Sequence, residues 1–387
     1  MKKKALSLIL TACMAFGLCA CGGSSSSQSA ASDQPAEAAE ASTENTEAGT
    51  ENTEADAAEA GAETADASAN TDVSGKVVIY TSMYEDIIED MEKDLKDVFP
   101  NLEIEFFQGG SGTLQSKIAA EMDSGKMGCD ILMLAEPSYA LELKEKGMLH
   151  PYKYAETDKL LFDYDEEGYW YPVRVLNMVL GYNPDLYNKD ELPKTFKEFA
   201  EDSSVKDMIS MSNPLTSGSA YSSVVALYDL YGEDYFKALG QQNVAIESGS
   251  VALTKLETGE CKQIMVLEES ILKKREEEGS ALEAIYPEDG TIAIPSPIMI
   301  VDEKVSANAN IAACEAVEDY FLSPAGQQLI IKGWMYGVRS DVKDYPYDGS
   351  PVTDLIPKFI PVDWEKCYKE RDAIRGMFQN HVTVPAE

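Results

Sequence analysis

Apolar and polar positions follow two alternating rhythms along most of the chain. Val77-Val78-Ile79-Tyr80 is a short, β-rich apolar run, suited to a strand covered on both faces. The period then changes. Tyr84, Ile87, Ile88, Met91, Leu95 and Val98 fall on one helical stripe, and Ser82 and Glu85 have the spacing of a capping box. Pro100 and Asn101 stop that helix. Leu102 to Phe107 alternates as a second strand, and Gly109-Gly110-Ser111-Gly112 turns the chain into a helix carrying Leu114, Ile118 and Met122. Cys129–Leu134 is expected as a third strand and Glu136–Lys146 as a third helix, ended by Gly147. This repeated strand–helix order predicts a parallel sheet with helices on both faces.

The first unit ends near residue 172, and a second of the same kind begins near Val179. Its expected strands are Asn177–Tyr182, Val244–Glu247, Gln263–Leu267 and Leu282–Ile285. The helices between them are Ser217–Tyr231, Asp234–Leu239, Ser250–Glu257 and Ser270–Glu278. Thr291–Val301 returns as an extended segment broken by Pro295 and Pro297, and two amphipathic helices follow, Ile311–Leu322 and Pro324–Lys332. Two α/β lobes with crossing connections would leave a cleft between them.

The first 75 residues break this pattern. Lys2, Lys3 and Lys4 precede 16 residues, Ala5 to Ala20, without a charge. That run is short for a membrane span and fits the apolar region of a signal peptide. It ends Leu18-Cys19-Ala20-Cys21-Gly22, which resembles a lipoprotein processing site with Cys21 as the lipidated residue. From Gly22 to Gly75 there are 12 acidic residues and no basic one, and Glu44-Asn45-Thr46-Glu47-Ala48 recurs at Glu51 to Ala55. The repeat offers no Leu, Ile or Val for a coiled-coil seam, so the segment reads as a disordered, self-repelling tether. The expected organisation is a signal peptide (1–20), a lipidated cysteine and tether (21–75), a first lobe (76–175 and 296–342), a second lobe (176–295) and a C-terminal helical segment (343–387).

Charge and composition narrow the chemistry. Across 387 residues, 68 Asp and Glu stand against 32 Lys and Arg, a formal charge of −36. Without the tether and the three early lysines the body keeps 56 acids and 29 bases. Nucleic acid and anionic lipid surfaces would be repelled, so membrane contact is expected only through the anchor. The two histidines, His150 and His381, are far apart and near no Ser-Gly turn. No G-x-S-x-G, G-x-x-x-x-G-K-[ST], G-x-G-x-x-G or H-E-x-x-H motif occurs, which argues against an enzyme, although an exported hydrolase of another design stays open. Cys129, Cys261, Cys314 and Cys367 form no C-x-x-C pair; buried free thiols or one disulfide are the readings for an exported protein.

Six segments in order give a resemblance. They are Val77 to Ser82 with Gly109 to Thr113; Cys129-Asp130-Ile131-Leu132 followed by Lys146-Gly147-Met148-Leu149; Val179-Leu180-Gly181-Tyr182-Asn183; Asn213 to Tyr221; Leu322-Ser323-Pro324-Ala325-Gly326-Gln327; and Tyr336-Gly337-Val338-Arg339-Ser340-Asp341. Together they resemble bacterial extracellular solute-binding proteins, the binding components of ABC importers of the ferric iron, phosphonate and hexose-phosphate group. The resemblance runs from about Lys76 to Val342. It implies a type II periplasmic binding fold, with two Rossmann-like lobes on a two-strand hinge closing over one small solute. It also implies a membrane permease as partner, no cofactor, and a monomer.

Three predicted helix starts would supply donors to an oxyanion: Ser111, Gly112 and Thr113; Thr216, Ser217, Gly218 and Ser219; and Ser248 with its neighbours. The same residues also serve as ordinary caps and turns. Ser82 and Glu136 follow strand ends. Arg174 stands where the hinge strand should begin and could add a cation. Iron-binding members resemble one another in a tyrosine pair after a strand of the second lobe. Here Gln263–Leu267 is followed by Glu268-Glu269-Ser270, although carboxylates could still hold a metal. Alternatively, Glu268 or Glu269 would accept from an amine or sugar hydroxyls. An anion-holding surface facing carboxylates would suit an aminoalkylphosphonate or a polyhydroxylated phosphate ester.

Overall fold

The computed structural model describes residues 69–384. The expected rhythm becomes β1 (Gly75–Thr81), α1 (Glu85–Val98), β2 (Leu102–Gln108), α2 (Ser111–Met122), β3 (Ile131–Met133), α3 (Ser138–Glu145) and a short β4 (Leu149–His150). β1 lies between β2 and β3 and is parallel to both. The chain then enters β5 (Tyr171–Tyr182), buried at every position. The second lobe adds α4 (Phe196–Glu201), β6 (Ile209–Ser212), α5 (Gly218–Tyr231), α6 (Glu233–Gln241), β7 (Ala245–Glu247), α7 (Gly249–Thr258), β8 (Gln263–Leu267), α8 (Glu268–Glu278) and β9 (Glu283–Ile285). β6 is parallel to β7 and β8, with helices in the connections between them.

Two long strands join the lobes. β10 (Thr291–Val301) runs antiparallel to β5, with Ile292 opposite Met178 and Ile298 opposite Tyr171. At one end β10 pairs with β3, and at the other β5 pairs with β8, so the sheet order is β2-β1-β3-β10-β5-β8-β6-β7. This is the two-lobed α/β architecture with a two-strand hinge.

Two local expectations are corrected. Pro295 and Pro297 do not break β10; the register shifts between Ser296 and Pro297, which accommodates residues that cannot donate to a ladder. Ser82 and Glu85 form no capping box. The helix starts at Glu85, its N-cap Tyr84 makes no side-chain cap bond, and the Ser82 hydroxyl instead accepts from a buried guanidinium, that of Arg174. α4 and β6 had no counterpart in the sequence pattern.

The chain continues through α9 (Ile311–Leu322) and α10 (Pro324–Lys332), whose cap Ser323 accepts from the Gly326 N–H. Residues beyond 343 form α11 (Val352–Leu355), β11 (Phe359–Ile360), α12 (Trp364–Lys369) and α13 (Arg371–His381), and β11 pairs with β10. At the other end the fold begins earlier than Lys76. The Asn70 N–H donates to the Val98 carbonyl at 2.6 Å and Val73 packs against the main core. The four cysteines of the body are buried free thiols. The signal peptide, Cys21 and most of the tether lie outside the described residues.

Candidate functional site

Five strands, β1, β2, β6, β7 and β8, each run into a helix whose start reaches one place. The N-cap residues of α1, α2, α5, α7 and α8 are Tyr84, Gly110, Ser217, Ser248 and Leu267, and all five line a single cleft of about 360 Å³. Ligands of open α/β sheets bind at this carboxyl edge because the helix starts present unpaired N–H groups there. Ser217 accepts from the Ala220 N–H at 3.3 Å and lies 3.1 Å from the Ser219 hydroxyl. Ser248 accepts from the Val251 N–H at 3.4 Å and lies 3.2 Å from the Ser250 hydroxyl. Caps of this kind satisfy one N–H and leave the others of the turn for a ligand.

The lobes meet at the cleft's rim. The Gly112 N–H donates to the Thr216 carbonyl at 2.9 Å. A Cβ on Gly112 would stand 2.5 Å from the Leu215 carbonyl oxygen, and one on Gly110 would stand 2.7 Å from that of Thr216. Glycine is required there because backbone meets backbone. A second bridge joins the Tyr84 hydroxyl to that of Ser270 at 3.0 Å.

Of the residues expected from the sequence, Ser82, Ser111, Thr113, Thr216, Ser217, Gly218, Ser219, Ser248 and Glu269 line the cleft. Four others are close by but do not line it. Gly112 makes the interlobe contact. Glu136 is buried, accepting from the Ser138 N–H at 2.6 Å and from Gln115 at 3.4 Å, and burial pushes its carboxyl up. Arg174 stands behind Ser82, donating to its hydroxyl at 3.1 Å and to the Met335 sulfur at 3.0 Å. Its Nε has no partner, and burial brings its pKa down to about 10, against the pull of Glu269. Glu268 accepts from Asn177 at 2.7 Å, from the Tyr336 hydroxyl at 2.8 Å and from the Tyr286 hydroxyl.

Glu269 differs. It is 6% exposed, it lines the cleft, and no described residue donates to its carboxylate. Burial raises its pKa to about 7, with Arg174 pulling it down and Glu268 pushing it up. The lining also includes residues not anticipated: Gln108, Ser212, Asn213 and Glu247, each at or just after a strand end, the position that could have flagged them. Glu247 is ion-paired with Lys255, and among the described residues no Lys, Arg or His lines the cleft. Leu176, Met178, Val266 and Leu267 supply an apolar part of the wall. Among the described residues no group of three or more His, Cys, Asp or Glu is placed to hold a metal ion. No described helix is long and apolar enough to cross a membrane.

The comparisons with known proteins agree with this fold. Residues 128–364 match the family described as bacterial extracellular solute-binding protein. An uncharacterized protein of Haemophilus influenzae is 24% identical over 315 residues, covering 77% of this chain and 87% of its own. The periplasmic binding protein AfuA from Actinobacillus pleuropneumoniae, solved with exogenous fructose-6-phosphate, is 20% identical and superposes with a TM-score of 0.70 over 81% of this chain and 100% of that one. Iron-bound HitA from Pseudomonas aeruginosa is 17% identical, with a TM-score of 0.66 over 79% of this chain and 99% of that one. At these identities the structural likeness establishes the fold, a type II periplasmic binding fold. The family match covers more than half of the sequence, and it identifies the chain as a member of the bacterial extracellular solute-binding proteins, which bind their solutes and are not enzymes.

Proposed function

We propose that this chain is the lipid-anchored binding component of an ABC importer, and that it captures a small phosphonate or phosphate ester between its lobes and delivers it to a membrane permease. The observation that carries the reading is the convergence of five helix starts, rich in serine and threonine, on a cleft with no basic side chain among the described residues. Neutral N–H and O–H donors bind an oxyanion without a full countercharge, because helix dipoles and several hydrogen bonds replace it. The body's negative charge is screened beyond about 8 Å at physiological ionic strength, so local donors outweigh the long-range field. Arg174 supports the site through Ser82.

Closure is a rotation about the β5–β10 pair, and the closed face signals occupancy to the permease. The anchor follows from the sequence around Cys21; a Cys21→Ala protein is expected in the medium or as unprocessed precursor. Calorimetry against aminoethylphosphonate, hexose phosphates and ferric citrate tests the ligand class. Binding of a phosphorus oxyanion, weakened by about 1–3 kcal/mol in Ser217→Ala, is expected. Binding of ferric citrate alone, indifferent to that substitution, would restore the iron reading.

A further inference from the structure

We propose that the solute is a zwitterion, whose second end is an ammonium group held by Glu269. The inference rests on the oxyanion reading and adds the other half of the ligand. Two carboxylates line the cleft, and Lys255 already takes Glu247. Among the described residues Glu269 alone is a buried carboxylate that faces the cleft and lacks a donor. The charged and titratable groups around it are Glu268 beside it on α8, Arg174 on β5 and Tyr84 at the start of α1. None of them completes its hydrogen bonds: Arg174 donates to Ser82 and Met335, and Tyr84 meets Ser270. A buried carboxylate in this condition is unfavourable unless something donates to it. An ammonium brings both the missing charge and N–H donors, whereas a hydroxyl brings one donor and leaves the charge buried.

Two further features fit. Leu176, Met178, Val266 and Leu267 offer apolar wall to a short methylene spacer between the two charged ends. The acidic body that repels an anion attracts a cation, so a zwitterion meets little net field. An ammonium beside Glu269 also pulls its raised pKa down, so binding near pH 7 releases part of a proton.

A matched ligand pair tests this. 2-Aminoethylphosphonate and propylphosphonate have the same heavy-atom count and share the oxyanion. Calorimetry at pH 7, in two buffers of different ionisation enthalpy, reads affinity and proton release together. The expected result is at least tenfold tighter binding of the amine, with proton release. In Glu269→Gln, the preference and the proton should be lost while propylphosphonate still binds. Equal affinity of the wild-type protein for both would overturn the ammonium and leave the oxyanion reading standing. Binding of neither phosphonate to either protein would overturn both.

An independent observation concerns α12 and α13, which touch both lobes through unlike seams. Towards the second lobe the contact has an apolar, tightly packed centre, with the ion pairs Lys366–Asp229 and His381–Glu233 at its edges. Phe378 packs on Phe236 with ring centroids 5.8 Å apart, Ile374 and Cys367 are buried, and the Tyr221 hydroxyl donates to the Cys367 carbonyl at 2.8 Å. A side chain at Gly240 of α6 would collide with the His381 carbonyl. Towards α3 of the first lobe the contact is polar: Arg371 pairs with Glu142 at 2.5 Å and the Tyr368 hydroxyl donates to Glu145 at 2.9 Å. Apolar seams do not exchange with water, whereas polar ones re-form their bonds to it at little net cost. We infer that α12–α13 ride with the second lobe and act as a strap that latches onto α3 when the lobes close.

Spin labels at the exposed positions 372 and 234, and separately at 372 and 153, read the two seams in solute-free protein. One narrow distance for the first pair and two populations for the second are expected, with Arg371→Gln enriching the longer one. A variable first pair, or a fixed second pair, would overturn the strap.

Discussion

Glu268 and Glu269 are neighbours in the chain, and both are buried at the start of α8. Their surroundings are opposite. Successive helix residues point about 100° apart, so Glu268 turns into a cage of three donors while Glu269 turns to the open cleft. The first is part of the hinge, because Asn177 belongs to β5 and Tyr336 hydrogen-bonds to β5 through its backbone at Val175. The second has no donor among the described residues, and the attraction of Arg174 only partly offsets its burial. A carboxylate's role here is set by its donors and not by its burial.

The strongest way to break this contrast is to remove the caged carboxylate. Glu268→Ala leaves Asn177, Tyr336 and Tyr286 without their acceptor, and the ligand-free protein is expected to lose about 3 kcal/mol or more, read as a lower urea midpoint. An unchanged midpoint would mean the cage is not structural.

Glu269→Gln should act in the other direction. An acid whose pKa rises from an unfolded value of about 4.3 to about 7 destabilises the fold fully above pH 7. That cost shrinks as pH falls through 7, and it is gone below the unfolded pKa. The variant is therefore expected to be more stable than wild type by about 2–3 kcal/mol at pH 8, with the two urea midpoints converging by pH 4.5. A parallel pair of curves would contradict the bare carboxylate.

Ser82→Ala sharpens the comparison from the Arg174 side. It removes the oxygen acceptor of a buried guanidinium whose other described partner is a sulfur, and about 1–2 kcal/mol should be lost from stability. Tyr84→Phe, which deletes the bridge to Ser270, is the mildest change. It is expected to raise the solute dissociation rate about two- to fivefold with little effect on the ligand-free melting temperature. A fall in melting temperature without a change in dissociation would place that bond in the fold and not in closure.

Much of the fold was legible because strand and helix periods alternate cleanly. Gln263–Leu267 was read to the residue, and Ser217 and Ser248 were recognisable as caps because a small hydroxyl precedes an apolar helical stripe. β10 was misread because proline reports only the hydrogen bonds it cannot make, and a register shift at Ser296 makes them unnecessary. α12 and α13 were expected only as a helical segment over 343–387; their bounds and packing were not legible because each buries only a few residues, against partners more than 130 positions earlier in the chain. In the site, the residues at strand ends were readable as a class. The split between Glu268 and Glu269 was not, because it depends on Asn177, Tyr286 and Tyr336, which are remote in sequence.

The glycines at the rim leave no room for a methyl group where α2 meets α5. A single extra carbon at Gly112 would work as a doorstop, holding the lobes ajar without changing any side chain that faces the solute. Holding strength is then adjustable at the jamb, separately from ligand chemistry, and two such proteins with the same lining can retain the same solute for very different times.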